Sequence, residues 1–468
     1  MQGRGRHPPD VPSGSKPTPR AVTLPPPAAP QRRKPRNPDV HLAGRESNPL
    51  KRFFRLLGPG FVTGASDDDP SGIATYANAG AAFGYGLLWT ALVTFPMMTA
   101  VQYACAKIGL VTGQGLAGVL RQHYSRWLLY PAIVGLLVAN TVNVGADLGA
   151  IGASVNLIVP AIPAAPVIVV AAVAILGIQV LGSYRLIARV FQWLALVLVA
   201  YVGAGVLSRP DVGAMLAGTL VPSISLDTTF ITALVAILGT TISPYLFFWQ
   251  SDQEVEEEQS RGRTKLWQRQ GATTKELHYA GLDVGTGMLF SNLVMFFVIL
   301  ATGATLHAQG HTQIGSATEA AQALRPIAGD LAATLLGVGL IGGGVLAVPI
   351  LSGSAAYALS EAFGWPYGLD KPASRAPQFY LVIAIAMILG LAMSLIGINP
   401  IETLVVSAVI NGLVAPPLLV LVMVVSGNRK IMGRRTNGRV VSVVGWLTAA
   451  VMGVAAIALI VTTVTGGA

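Results

Sequence analysis

The sequence predicts an all-α integral membrane protein of about eleven spans, built as two inverted five-helix repeats with one added helix. Three observations carry this. Of the 468 residues, 53% are apolar and only 11% are charged, the latter about half the share usual in a soluble protein. The apolar residues fall into runs of about 20, enough to cross a hydrocarbon core about 30 Å thick. Two of those runs are interrupted by polar, proline-containing stretches: Ser66-Asp67-Asp68-Asp69-Pro70-Ser71-Gly72 in the first, and Thr240-Thr241-Ile242-Ser243-Pro244-Tyr245 in the sixth.

Residues 1–50 are rich in Pro and Arg and poor in apolar side chains. Such a segment cannot bury enough surface to offset the entropy of ordering, so a disordered cytosolic tail is expected. Its cluster of Arg32, Arg33, Lys34 and Arg36 fits a solvated tail that helps fix orientation better than a DNA arm or an anionic-lipid contact. The tail lacks the apolar core of a secretory leader, so cleavage is not expected. A transporter-like membrane domain then fills 51–468, with spans near 56–81, 84–107, 129–158, 165–183, 190–207, 229–251, 284–306, 332–360, 378–397, 401–425 and 441–465. Repeat one covers about 56–207, repeat two about 229–425, and the extra helix about 441–465. The charged loop from Ser251 to Leu282 is expected to carry a short amphipathic helix on the membrane surface. Cys105 is the only cysteine, which excludes an intrachain disulfide and a thiolate metal cluster.

Lysine and arginine placement sets the orientation. With a cytosolic N-terminus, only Arg209 and Arg325 of the 31 basic residues fall in outward loops. The clusters at Arg121/Arg126, Arg185/Arg189, Arg261 to Lys275, Lys371/Arg375 and Arg429 to Arg439 all fall inside, as the positive-inside rule requires. An odd number of spans puts Ala468 outside the cell membrane. The net charge of +10 is therefore an orientation signal, and no nucleic-acid partner is needed to explain it.

Each repeat begins with a broken helix, and an odd repeat length inverts the second unit, so the two breaks meet near the membrane midplane. An ionised Asp at bilayer centre costs about 2.5–3.5 kcal/mol on insertion scales, and a run of three such residues marks a function. Paired breaks of this kind point to a transporter whose ion site uses unwound carbonyls and helix ends. Asp69 is the strongest single candidate, because a divalent cation needs an anionic oxygen. It also suits the N-cap before Pro70, and both roles are compatible. Asp67 and Asp68 are candidates for a vestibule that attracts cations, or plain solvated caps. The acidic run Glu254, Glu256, Glu257 and Glu258 is either a cation exit, a gate partner of the basic loop, or a solvated face. Gly342-Gly343-Gly344 most simply permits close helix packing.

These residues resemble those of the Nramp family of divalent metal transporters. Asp69-Pro70-Ser71-Gly72 is similar to the family's Asp-Pro-Gly-Asn break, Ala146-Asp147-Leu148 to its Asp-Leu-Ala-Glu stretch, and Ser243-Pro244-Tyr245 to its Met-Pro-His. Gly58-Pro59-Gly60 and Val111-Thr112-Gly113-Gln114-Gly115-Leu116 also look like the family, and the resemblance covers about residues 50–465. It implies a LeuT-like inverted-repeat (5+5) fold, alternating access, a divalent metal ion as substrate rather than a bound cofactor, and no enzymatic activity. It implies metal ligation by the Asp69 carboxylate, by the backbone carbonyls of Ser66 and Thr240, and by Ser243 at the methionine position. It implies proton or gating roles for Asp147, Tyr245 and Arg375, with Arg375 either paired to Asp147 or anchoring the membrane interface.

The departures sharpen the expectation. Gly72 replaces the family's Asn amide and Ser243 its thioether. Soft sulfur favours softer transition ions, whereas oxygen and water suit Mg, Ca and Mn, and Mg²⁺ keeps several waters when bound. This composition resembles the Nramp-related magnesium transporter branch, although Ser243 and Gly72 could equally reshape a Mn²⁺ site. Ala150 stands where the family has a Glu, and Tyr245 where it has a His. A phenol that ionises near about pH 10 shuttles protons poorly at neutral pH, so a proton co-substrate is expected to couple weakly or not at all. The alternatives are a proton-coupled Mn²⁺/Fe²⁺ symporter and a divalent cation channel. Neither a His-Glu-x-x-His motif nor a Gly-x-Ser-x-Gly elbow points to an intramembrane enzyme.

Overall fold

In a computed structural model, residues 58–181, 199–315, 319–320, 329 and 332–465 are described. The predicted tail, 1–50, lies outside them. The described chain is helical. Helices α1 (Pro59–Asp67) and α2 (Pro70–Phe83) form the first broken span, followed by α3 (Trp89–Thr112), α4 (Leu116–His123), α5 (Arg126–Ile158), α6 (Ala164–Leu181), α7 (Val199–Leu207) and α8 (Val212–Leu220). Helices α9 (Thr228–Thr241) and α10 (Pro244–Ser260) form the second broken span. Then come α11 (Leu266–Arg269), α12 (Thr274–Thr305), α13 (Ala332–Phe363), α14 (Pro377–Leu395), α15 (Pro400–Gly427), α16 (Arg429–Met432) and α17 (Arg439–Val464).

Among the described residues, eight helical segments are long and apolar enough to cross a membrane, with α9 and α10 together forming one of them. The broken pair α1–α2 and the 24-residue α3 coincide with predicted spans one and two, and α7 is the described part of span five. Among the described residues, each of the eleven predicted spans thus overlaps a helix, with breaks in the first and sixth. Helix starts follow the local chemistry. Prolines 59, 70, 244, 377 and 400 each open a helix, where a missing N–H costs nothing. Prolines 96, 131, 349, 416 and 417 lie inside helices, which membrane bundles tolerate because neighbours re-satisfy the freed carbonyls.

The outward face is apolar. Val134, Val138, Val170, Val173, Ile388, Leu389, Val454 and Ile457 are exposed on α5, α6, α14 and α17, the pattern of a protein whose solvent is lipid. Polar side chains turn inward, and Asn140, Asn143, Asp147, Thr240, Ser243, Ser291 and Asn411 are fully buried. The first half-helix lies against α12 with almost no side chain between them. A Cβ on Gly64 would sit 2.2 Å from the Gly287 carbonyl, so only glycine allows this approach.

One expectation is corrected. The connection is shorter than Ser251 to Leu282: α10 runs on to Ser260 and α12 begins at Thr274, and the short helix between them is α11, with Leu266 and Trp267 exposed and Arg269 buried. One buried charge holds the connection in place. Arg269 in α11 is buried and donates to the carbonyls of Gly113, Arg263 and Thr264, which pins the turn beneath α3.

Candidate metal site

Both breaks arise where a proline opens a new helix directly after the old one ends. At the first, α1 stops at Asp67 and Asp69 becomes the N-cap of α2, its carboxylate Oδ1 accepting from Gly72 N at 2.7 Å and from Ser71 Oγ at 2.7 Å. Capping occupies Oδ1 and leaves Oδ2 facing the second break, where the Tyr245 hydroxyl lies 3.4 Å away. That hydroxyl also donates to the Ser66 carbonyl at 3.0 Å. Tyr245 thus bridges the start of α10 to the end of α1.

At the second break, Ser243 caps α10 with its backbone while its hydroxyl turns back to the end of α9. Ser243 Oγ lies 2.6 Å from the Thr240 carbonyl and 3.1 Å from the Gly239 carbonyl. The C-terminal ends of α1 and α9 converge here, and the partial negative charge of helix C-termini favours a cation. The breaks touch at Gly72, where an added Cβ would lie 3.1 Å from Thr240 Oγ1 and 3.2 Å from the Asp67 carbonyl. A side chain at this position would make the Thr240 hydroxyl or the Asp67 carbonyl give by a few tenths of an ångström.

The sequence-predicted metal ligands thus pair within each break: the Tyr245 hydroxyl joins the Asp69 carboxylate to the Ser66 carbonyl, the Ser243 hydroxyl rests on the Thr240 carbonyl, and the two breaks meet at Gly72. The carbonyls already accept a hydroxyl each and retain a second lone pair. Among the described residues no group of three or more His, Cys, Asp or Glu side chains is arranged to hold a metal. The donor set is one carboxylate amid neutral oxygens, which suits a hard cation that keeps part of its water shell.

Two of the alternatives left open by the sequence are not what the structure shows. Asp67 and Asp68 do not line a vestibule. Both are fully buried, and their carboxylates converge on Ser291 of α12, because the end of α1 turns its side chains toward the helix it packs on. Arg375 does not pair with Asp147. Arg375 is exposed in the turn before α14, whereas Asp147 is fully buried in α5 and neither of its carboxylate oxygens has a hydrogen-bond partner. Its neighbour is the glycine run of α13, where a Cβ on Gly344 would lie 3.4 Å from the Asp147 carbonyl and one on Gly343 3.2 Å from the Asp68 carbonyl. The run lets α13 approach both the first break and α5, as expected of close packing.

Sequence reasoning missed the roles of Asp283 and Glu361 at the face carrying the basic loops and left that of Glu256 open. Asp283, on α12, accepts from the backbone N–H groups of Gly58, Gly60 and Phe61 at 2.8, 2.7 and 3.2 Å. It caps α1 from a different helix. Glu361 accepts from Gly115 N, Gly118 N and the Tyr367 hydroxyl, each at 2.8 Å. Glu256 accepts from the Tyr357 hydroxyl at 2.8 Å and Leu369 N at 3.0 Å. The acidic run is thus not a solvated face, and Glu257 and Glu258 pair with Arg261 and Arg263. The available signal was glycine at 58, 60, 115 and 118, whose bare backbone N–H groups invite a carboxylate.

A family model described as natural resistance-associated macrophage protein-like (Nramp) matches residues 60–462. The divalent metal cation transporter MntH of Aeromonas hydrophila subsp. hydrophila is 30% identical over 414 residues, covering 86% of this chain and 95% of that protein. MntH of Klebsiella pneumoniae (strain 342) is 28% identical over 406 residues, covering 85% and 91% respectively. Among solved structures, an Eremococcus coleocola manganese transporter in complex with an aromatic bis-isothiourea substituted compound superposes with a TM-score of 0.69 at 18% identity, over 89% of this chain and 87% of that one. The nucleobase-cation-symport-1 family transporter Mhp1 in a closed conformation superposes at 0.54 with 12% identity, over 88% and 93%. The likeness to these structures shows a shared fold.

Proposed function

The chain belongs to the Nramp family, a family of transporters and not of enzymes, and from that premise we propose that it imports hard divalent cations, Mg²⁺ and/or Mn²⁺, by alternating access. That it is a multi-pass membrane transporter of divalent metal cations follows from the family. The ion preference and mechanism are our reading. Transport is secondary-active or facilitated, with a cytosolic N-terminus, an outward C-terminus, and the basic loops inside.

The observation that carries the reading is the junction of the breaks, where the Tyr245 hydroxyl from the second break meets the Asp69 carboxylate and the Ser66 carbonyl of the first, and Gly72 abuts Thr240. The position at which the family resemblance implies a thioether holds an oxygen, which removes a basis for preferring softer ions. Tyr245, which bridges the breaks, would then act as a gate that opens when α1 and α10 separate. Asp147 favours a second reading, because a buried carboxylate without a partner is suited to take a proton.

Uptake into proteoliposomes that hold an ion-sensitive dye and a pH dye tests both. Mg²⁺ uptake without internal acidification supports the hydrated, uncoupled site. Selective Mn²⁺ uptake with acidification replaces it with proton-coupled symport carried by Asp147. Uptake that does not saturate replaces the carrier with a channel.

A further inference from the structure

We propose that the side-chain hydroxyls of Thr240 and Tyr76 are specificity-determining groups of the ion site, holding a water of the bound cation beside Gly72. The inference deepens the hard-ion reading above and rests on it. Gly72 brings no side chain, and its backbone N–H donates to Asp69 Oδ1 at 2.7 Å, so the space beside it adjoins the carboxylate of the site. Groups from three helices close on that space. A Cβ on Gly72 would lie 3.1 Å from Thr240 Oγ1 of α9, 3.2 Å from the Asp67 carbonyl at the end of α1, and 3.4 Å from Cε2 of the Tyr76 ring on α2.

Both hydroxyls are fully buried and neither has a hydrogen-bond partner. For Thr240 this departs from its own helix. Thr232 and Thr241 give their hydroxyls to the carbonyls four residues back, at 2.7 and 2.8 Å, the ordinary local solution for a helical threonine. Thr240 forgoes that bond, and its Oγ1 comes to Gly72 instead. The Tyr76 and Thr240 side chains are neighbours. A bond between them would use one of their two hydrogens and still leave lone pairs on both oxygens. Those lone pairs and the Asp67 carbonyl are hydrogen acceptors. A water bound to a cation presents the matching donors, because its oxygen faces the ion and its hydrogens point outward. Mg²⁺ keeps several waters when bound, so a buried patch of acceptors beside the anionic ligand recognises the hydrated ion, where apolar side chains would reject it.

The test is a calorimetric titration of the purified full-length chain with Mg²⁺ and, separately, with Mn²⁺. Thr240→Val keeps the shape and the backbone carbonyl and loses only the hydroxyl. It should weaken Mg²⁺ binding by about tenfold and Mn²⁺, which sheds water more readily, by about threefold or less. Thr240→Ser returns the hydroxyl and should restore the ratio of the two affinities. Tyr76→Phe should lower the Mg²⁺ to Mn²⁺ ratio in the same direction by about threefold, and it carries the test if Thr240→Val does not fold. A ratio that stays at its original value in the hydroxyl-lacking variants, whether both affinities are unchanged or both fall equally, overturns the inference while the unaltered chain still binds Mg²⁺. Failure of the unaltered chain to bind Mg²⁺ overturns the hard-ion reading and this inference with it.

Discussion

The two breaks occupy corresponding places in the inverted repeats, yet their chemistry is unequal. The first places three consecutive carboxylates, Asp67, Asp68 and Asp69, at the end of one half-helix and the start of the next. The second has no ionisable group before Tyr245, only Thr240, Thr241 and Ser243. Repeat geometry supplies two helix ends aimed at a common point, while charge is supplied by one repeat alone. The half-helix that carries the charge is also held from both ends by α12, through Asp283 at its start and Ser291 at its finish. The second break instead folds its Thr241 and Ser243 hydroxyls back on its own helix. Under the proposed function, this difference assigns affinity to the first break and selectivity and closure to the second.

Asp69→Asn tests that division most severely. Removing the one charge that faces both breaks should weaken divalent-ion binding by about 100-fold or more, equivalent to about 2.7 kcal/mol, and abolish uptake. Full uptake in this variant would remove the site assignment. Asp283→Ala attacks the same half-helix from its other end. Losing the acceptor of three backbone N–H groups should cost about 1–3 kcal/mol and loosen α1 from α12. A cysteine at Val62 in a Cys105→Ala background should then label faster, and an unchanged rate would mean that the glycine contact alone holds α1.

At the second break the effects should be smaller. Ser243→Met restores a thioether and should raise the affinity for Cd²⁺ relative to Mg²⁺ by about tenfold, or about 1.4 kcal/mol. Competition for uptake measures it, and no shift would refute the softness argument. The companion change Gly72→Asn is a poorer probe than the sequence suggests, since any Cβ there crowds Thr240. Tyr245→Phe removes the hydroxyl that links the breaks and should cost about 1 kcal/mol of the closed form, read as a faster exchange of bound ion. An effect of Tyr245→Phe as large as that of Asp69→Asn would reverse the assigned roles.

The architecture was legible because membrane spans are written locally. A run of apolar residues about 20 long has few alternatives in a bilayer, and a proline after Asp69 or Ser243 opens a helix wherever the chain goes. Asp69 was legible for the same reason: its cap, its charge and the break all lie within a few residues. The inward turn of Asp67 and Asp68, the cap that Asp283 places on α1, and the isolation of Asp147 from Arg375 were not. Each depends on which helix lies opposite, over separations such as the 223 residues between Gly60 and Asp283. Sequence alone thus determined where this chain breaks its helices and where it keeps its charge, because those choices are made within a turn or two of backbone. Only the tertiary structure decided which oxygens those charges meet, because a carboxylate's partner is set by the packing of distant helices at distances of a few ångströms.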